Sequence, residues 1–161
     1  KESRDYVSRQ LAAALVRDGQ TNEARAVLAA SPLPDSGALA SMDEYMAGHD
    51  KSPAVGGWLG MIPGAGYMYA GEYANGFRSL ILNSLFIFGM VASADDDEWG
   101  AFAVISFFEI TWYTGSIYGG IDASHRYNRQ RKQSLLDAIS GGLIMEPDQG
   151  EIPAILLKYR F

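Results

Sequence analysis

The 161-residue chain contains no cysteine, which excludes disulfides, thiolate metal sites, cysteine nucleophiles and haem-attachment motifs. Histidine is almost as scarce: His49 and His125 are the whole supply, and they form no bis-histidine pattern for haem or chlorophyll. Basic residues are in deficit, with thirteen Lys and Arg against nineteen Asp and Glu for a net charge of −6. Such a surface repels phosphate backbones and argues against nucleic acid as a partner. There is no methionine at the start. The chain opens on Lys1 and reads as a processed or truncated product. Charge is missing above all from the middle: between Pro53 and Ile121 it is confined to Glu72, Arg78, the run Asp95 to Glu98, and Glu109.

What remains is segregated. Hydrophobic residues make up 48% of the chain while mean hydropathy is only −0.05, so polar residues are concentrated in the flanks. Three zones follow, residues 1–50, 51–125 and 126–161. In the first, Tyr6, Leu11, Leu15 and Val16 share a helical face. Arg17 to Thr21 makes a turn, and Ala24, Ala26, Val27 and Leu28 resume the apolar stripe. Thr21 or Asn22 is expected to cap the second helix, and Pro32 and Pro34 to stop it. Residues 31–52 read as a connector with one short helix over Ala38 to Met46.

The second zone holds three apolar stretches. Pro53 to Gly71 has six glycines, two prolines and no charge, and its Pro63-Gly64 break leaves it either a spanning or a re-entrant segment. Ser79 to Ala94 is uncharged and reaches across a bilayer core of roughly 30 Å if Arg78 snorkels. Trp99 to Ile121 is long enough to span outright. The expected fold is therefore all-α and integral to a membrane. A short N-terminal helical hairpin leads to the glycine-rich segment and a two-helix transmembrane hairpin, and the chain closes on a strand-like tail. The acidic run Asp95 to Glu98 forms the hairpin turn. Arg126, Arg129, Arg131 and Lys132 lie at the opposite end, which the positive-inside rule places in the cytoplasm of an inner membrane. The N-terminal part is then expected on the periplasmic side, with an outer membrane as the alternative location.

Within the spans, Gly56, Gly60 and Gly64 share a helical face, and Gly115 and Gly119 have the same small-residue spacing. These two faces are expected to dock. Tyr67, Tyr69 and Tyr73 suit a headgroup-level belt. The loop Pro63, Gly64, Gly66, Tyr69 and Gly71 lacks the Lys-Ser/Thr and the preceding strand of a phosphate cradle. Glu109 falls about 15 Å deep, and Asn83 reaches a similar depth on the preceding span. The Asn83 amide is expected to bond a neutral Glu109 carboxyl, with Tyr113 joining from one turn later. Such a group acts as structural glue or as part of a proton or ion path. Asp122 and His125, three apart, offer a metal or acid–base pair against the plainer reading of two solvated headgroup-region side chains. No complete catalytic constellation, metal-ligand set or cofactor motif emerges. In the third zone a basic amphipathic helix runs to Gly141-Gly142. The finish alternates Leu157, Tyr159 and Phe161 with polar residues, a candidate partner-binding strand or the terminal signal of an outer-membrane barrel.

Two resemblances attach to these residues. Leu11 to Pro32, with Gly19 at its turn and Ala24 and Leu28 on the second helix, resembles one tetratricopeptide helical hairpin. The phrase from Pro63 to Gly76, followed by Arg78 to Leu85, Glu109 to Gly120, Ala123, Tyr127 and Asn128, resembles a family of bacterial envelope proteins without an assigned activity. In that family tetratricopeptide-like helices precede a Pro-Gly-x-Gly-x-x-Tyr-x-Gly membrane module. More loosely it is similar to TM2-type two-span domains, from which it departs in lacking a His-Phe-Tyr cluster and in its acidic turn. The resemblance implies an envelope location and carries no activity over. Membrane lipids and other envelope proteins are the expected partners, in an oligomer or larger complex. The expected function is a non-catalytic membrane subunit or scaffold, the alternative an oligomeric ion-conducting subunit using Glu109. A membrane-associated hydrolase built on Asp122 and His125 is the third reading.

Overall fold

Gly19 takes φ 86°, a left-handed conformation open to glycine at no steric cost, and it separates α1 (Glu2–Asp18) from α2 (Thr21–Ala29). The computed structural model describes residues 2–141, and all regular structure among them is helical. The Leu157, Tyr159 and Phe161 tail therefore lies outside the described residues. Gln20, not Thr21 or Asn22, occupies the N-cap of α2, and no side chain caps that helix. α3 (Ser36–Ala47) starts two residues earlier than its apolar pattern suggests. The Asp35 carboxylate accepts from the backbone N–H of Gly37 at 2.8 Å and Ala38 at 3.2 Å, which is a side-chain N-cap. The remaining helices are α4 (Pro53–Gly60), α5 (Ala65–Tyr69), α6 (Tyr73–Asp95) and α7 (Trp99–Gly141).

The described residues form two compact units. One comprises the chain up to Ala47 together with the stretch from Ser134. Its core is conventional: Val16, Leu28 and Met42 of α1 to α3 bury against Leu135, Leu136 and Ile139 from the end of α7. The buried face of α1 is Arg9, Ala12, Ala13 and Val16, whose spacing follows one helical stripe. Tyr6 and Leu11, expected on that face, are exposed. Three small or aliphatic positions and a salt-bridged arginine pack more closely here than an aromatic ring would.

The other unit, Gly48–Gln133, is built the opposite way. Its buried hydrophobic side chains are two alanines, Ala70 and Ala123. α6 buries Gly76, Ser79, Asn83 and Ser93 while Ile81, Leu85 and Phe88 are 61–71% exposed. α7 buries Glu109, Ser116 and Ser124 and exposes Phe107, Phe108 and Ile110. Among the described residues, α6 is the one helix both long and apolar enough to cross a membrane. The expected second span is the first half of α7, where Glu109, Thr111, Thr114, Gly115 and Ser116 dilute the apolar run. The Pro53 to Gly71 segment is no single span. α4 has eight residues and α5 five, about 12 Å and 7.5 Å of helix against a core of roughly 30 Å. They fold back on one another through Gly66, where an added Cβ would lie 2.5 Å from the Gly56 carbonyl oxygen.

Candidate functional site

Three backbones cross where α4, α5 and α7 meet. Pro53 begins α4 behind the N-cap Ser52, an arrangement in which the missing proline N–H costs nothing. A Cβ on Gly60 would lie 2.8 Å from Cα of Ile117 and 3.0 Å from the Ser116 carbonyl oxygen, and one on Gly66 would lie 2.8 Å from Cα of Gly120. Gly56 and Gly120 come into contact backbone to backbone. Small residues thus join the helices as the glycine spacing suggests, but the stripe on α7 is Ser116, Gly120 and Ser124, offset by one residue from Gly115 and Gly119. Gly115 has nothing within 4 Å of an added Cβ, and Gly119 receives the ring of Tyr67. Gly64 does not share the α4 face either. The helix ends at Gly60, and Gly64, at φ 85°, is placed against the carbonyl of Gly76 on α6. Pro63 lies in the intervening turn, and Gly71, at φ 84°, ends α5 with the Glu72 N–H donating to the Tyr67 carbonyl at 2.9 Å.

Of the three tyrosines expected in a belt, Tyr73 is exposed while Tyr67 and Tyr69 turn inward. The Tyr69 hydroxyl accepts from the Ser52 N–H at 3.0 Å, and the Lys51 ammonium stands 4.8 Å above its ring and 5.5 Å from that of Tyr127. Asn128 clasps the backbone of Lys51, its Oδ1 accepting from the N–H at 2.7 Å and its Nδ2 donating to the carbonyl at 2.9 Å. Arg126 holds Glu72 with two parallel bonds of 2.7 and 2.8 Å, and Asn75 donates to the same carboxylate at 2.7 Å. That arginine, then desolvation working against it and the Asn75 bond with it, leaves the Glu72 carboxyl below its ordinary range. Arg126 also takes Asp122, and Arg129 stands 3.9 Å from it. Asp122 is therefore spent on arginines and does not engage His125, which is exposed. Arg126 and Glu72 are 54 residues apart and Asn128 and Lys51 77, and no local pattern announces either pair.

Inside the α6–α7 hairpin the expected Asn83–Glu109 bond does not form. Asn83 is fully buried, and its Nδ2 donates to the carbonyl of Ser79, one turn back, at 2.6 Å. This back-bonding is the usual resort of a polar side chain inside a helix. Tyr113 donates to the Met61 carbonyl at 2.7 Å. Glu109 is 8% exposed, and its Oε2, like Asn83 Oδ1 and Ser106 Oγ, is buried with no hydrogen-bond partner. The cause is register. Ser79 Oγ donates to Ser116 Oγ at 3.0 Å, and Gly89 faces Ile105, which sets Asn83 level with Trp112, about one turn from Glu109.

Among the described residues no group of three or more His, Asp or Glu side chains could hold a metal ion. Comparison with protein-family models, with curated proteins and with solved structures finds no match to the chain.

Proposed function

We propose that this chain is a non-catalytic membrane subunit that acts as a scaffold for protein assembly in a bacterial envelope. The observation that carries the reading is the inverted burial of Gly48–Gln133, where glycine, serine, asparagine and glutamate lie inside and large apolar side chains lie outside. Water penalises such a surface, since contiguous exposed apolar patches mark contact with lipid or protein. In a bilayer the same arrangement is favourable, because small and polar residues make the helix contacts and apolar ones meet the lipid. The other unit has an ordinary core and would carry the binding surface for other envelope proteins.

α6 and the first half of α7 form the transmembrane hairpin, with α4 and α5 as a re-entrant or interfacial element. In this reading the core that α1 to α3 share with the end of α7 supports keeping those helices together on one side of the membrane. The basic residues between Arg126 and Lys132 make that side cytoplasmic in an inner membrane, with the acidic turn outside. The proposal differs here from the periplasmic placement expected of the N-terminal part. Alkaline carbonate extraction with separated inner and outer membranes tests the reading: the chain is expected in the inner-membrane pellet, and release into the supernatant would overturn it.

The unpartnered, buried Glu109 Oε2 favours a second reading, an oligomer conducting protons or ions past Glu109. In reconstituted vesicles Glu109→Gln would then abolish flux while leaving assembly intact, and unchanged flux removes the idea.

A further inference from the structure

A cleft of about 350 Å³ lies between α6 and α7 with Tyr67 of α5 at its edge. That volume is within the range of sites for small ligands. Its floor is the buried Ser79–Ser116 hydroxyl pair, and its space exists because Gly115 carries no side chain and has nothing within 4 Å of an added Cβ. Polarity changes along its length. Asn75 and Arg78 line one end, and Leu82 and Trp112, a turn or more further along the hairpin, line the other.

Arg78 is the sole basic residue between Lys51 and Arg126, and among the described residues it makes no hydrogen bond or ion pair. Glu72, the acidic residue next before it in the sequence, is held by Arg126 and Asn75. Arg78 lies five residues into α6, about 7.5 Å from its start, at the end of the hairpin that also bears Arg126. An uncompensated guanidinium next to hydroxyl and amide groups favours a phosphate, which it can bind with two parallel hydrogen bonds. The apolar end favours a hydrocarbon chain. Basic pockets between transmembrane helices on the cytoplasmic side suit anionic lipid headgroups.

We propose that this cleft binds one anionic phospholipid, its phosphate on Arg78 and its acyl chain along Leu82 and Trp112. The proposal rests on the membrane reading above. Its test uses the full chain in vesicles of equimolar phosphatidylcholine and phosphatidylglycerol. After mild detergent extraction, the ratio of the two lipids that stay with the protein is measured by native mass spectrometry. Phosphatidylglycerol is expected in about tenfold preference, because both lipids offer a phosphate but the choline ammonium of phosphatidylcholine opposes the Arg78 charge while the net negative phosphatidylglycerol headgroup compensates it. Arg78→Gln brings the ratio to parity. Gly115→Leu, which fills the cleft and keeps the charge, removes the retained lipid. An unchanged ratio in Arg78→Gln, or undiminished retention in Gly115→Leu, overturns the proposal, and the second variant decides if the first loses its helicity. Displacement of the lipid by an equal concentration of inorganic phosphate would make the site a plain phosphate site and overturn the lipid. Failure of the wild-type chain to enter the vesicles would instead overturn the membrane reading, and the proposal with it.

Discussion

Gly56 and Gly120 approach so closely that a Cβ on either would run into the carbonyl oxygen of the other. Each is glycine because its partner's backbone occupies the space a side chain needs, and the approach ties the short α4 to the long α7. Gly56→Ala and Gly120→Ala are each expected to destabilise the chain by about 1–3 kcal/mol, as overpacking does. Gly115→Ala, with open space around it, is expected to be neutral or to stabilise by up to about 1 kcal/mol through helix propensity. Thermal unfolding in detergent checks both; equal losses at positions 115 and 120 would contradict the observed register.

Leu85 separates lipid from water as the solvent of α6. It is 61% exposed near the middle of the helix. At an exposed site in water, Leu85→Lys would change stability by about 0.5 kcal/mol or less. At the centre of a bilayer it costs about 3 kcal/mol of insertion free energy. A fall in the membrane-inserted fraction is therefore expected, and an unaffected fraction would argue for an aqueous α6.

Arg9 joins α1 to α3 in the other unit: 8% exposed, it bonds Asp5 and Asp35 at 3.0 Å each and reaches the Ile139 carbonyl at 3.4 Å. Arg9→Met removes the cation that two carboxylates share while their bonds to Ser31 and to the Gly37 and Ala38 amides remain, and is expected to cost about 1–3 kcal/mol in denaturant unfolding. The Ser31 hydroxyl, donating at 2.7 Å, followed by Arg9, holds the Asp5 carboxyl below its ordinary value, and the Ala38 and Gly37 amides with Arg9 do the same for Asp35. Both are depressed in the folded state. Their contribution is thus complete above the unfolded value of about 3.9 and is lost as pH falls below it. Stability followed by circular dichroism should fall on acidification through this range, less steeply in the Asp5→Asn, Asp35→Asn double variant.

A chain without cysteine is ready for single-cysteine labelling. Ser36→Cys on α3 and Asp96→Cys in the acidic turn are exposed positions. A membrane-impermeant maleimide applied to spheroplasts is expected to label Asp96→Cys at once and Ser36→Cys only after permeabilisation. Labelling of both from outside would remove the crossing, and the reverse pattern would invert it.

Helix positions follow largely from local chemistry. Gly19, the proline pair at 32 and 34, the Pro63-Gly64 break and the acidic turn each interrupt a helix where the chain itself cannot continue one. The segregation of charge marks residues 53–121 as unlike the flanks, for composition needs no knowledge of what touches what. The docking of small residues could be expected for the same reason, but its register could not. Gly115, Gly119 and Gly120 are chemically identical in a list of residues, and only the approach of α4 and α5 selects Gly120. Likewise Asn83 and Glu109 share a depth by counting, yet the Ser79–Ser116 contact shifts the hairpin by about a turn and sends the Asn83 amide to its own helix.

The sequence by itself determined that this protein is helical, free of thiol chemistry and divided into apolar and polar parts, because these depend on composition and on neighbours within a few residues. Only the tertiary structure decided that Arg126 belongs to Glu72, that Asn128 clasps Lys51, and that the end of α7 completes the core of the N-terminal helices. It also decided that the middle unit turns its large apolar residues outward. Those outcomes depend on close packing between residues far apart in the chain, where a shift of one position exchanges the inner face of a helix for the outer.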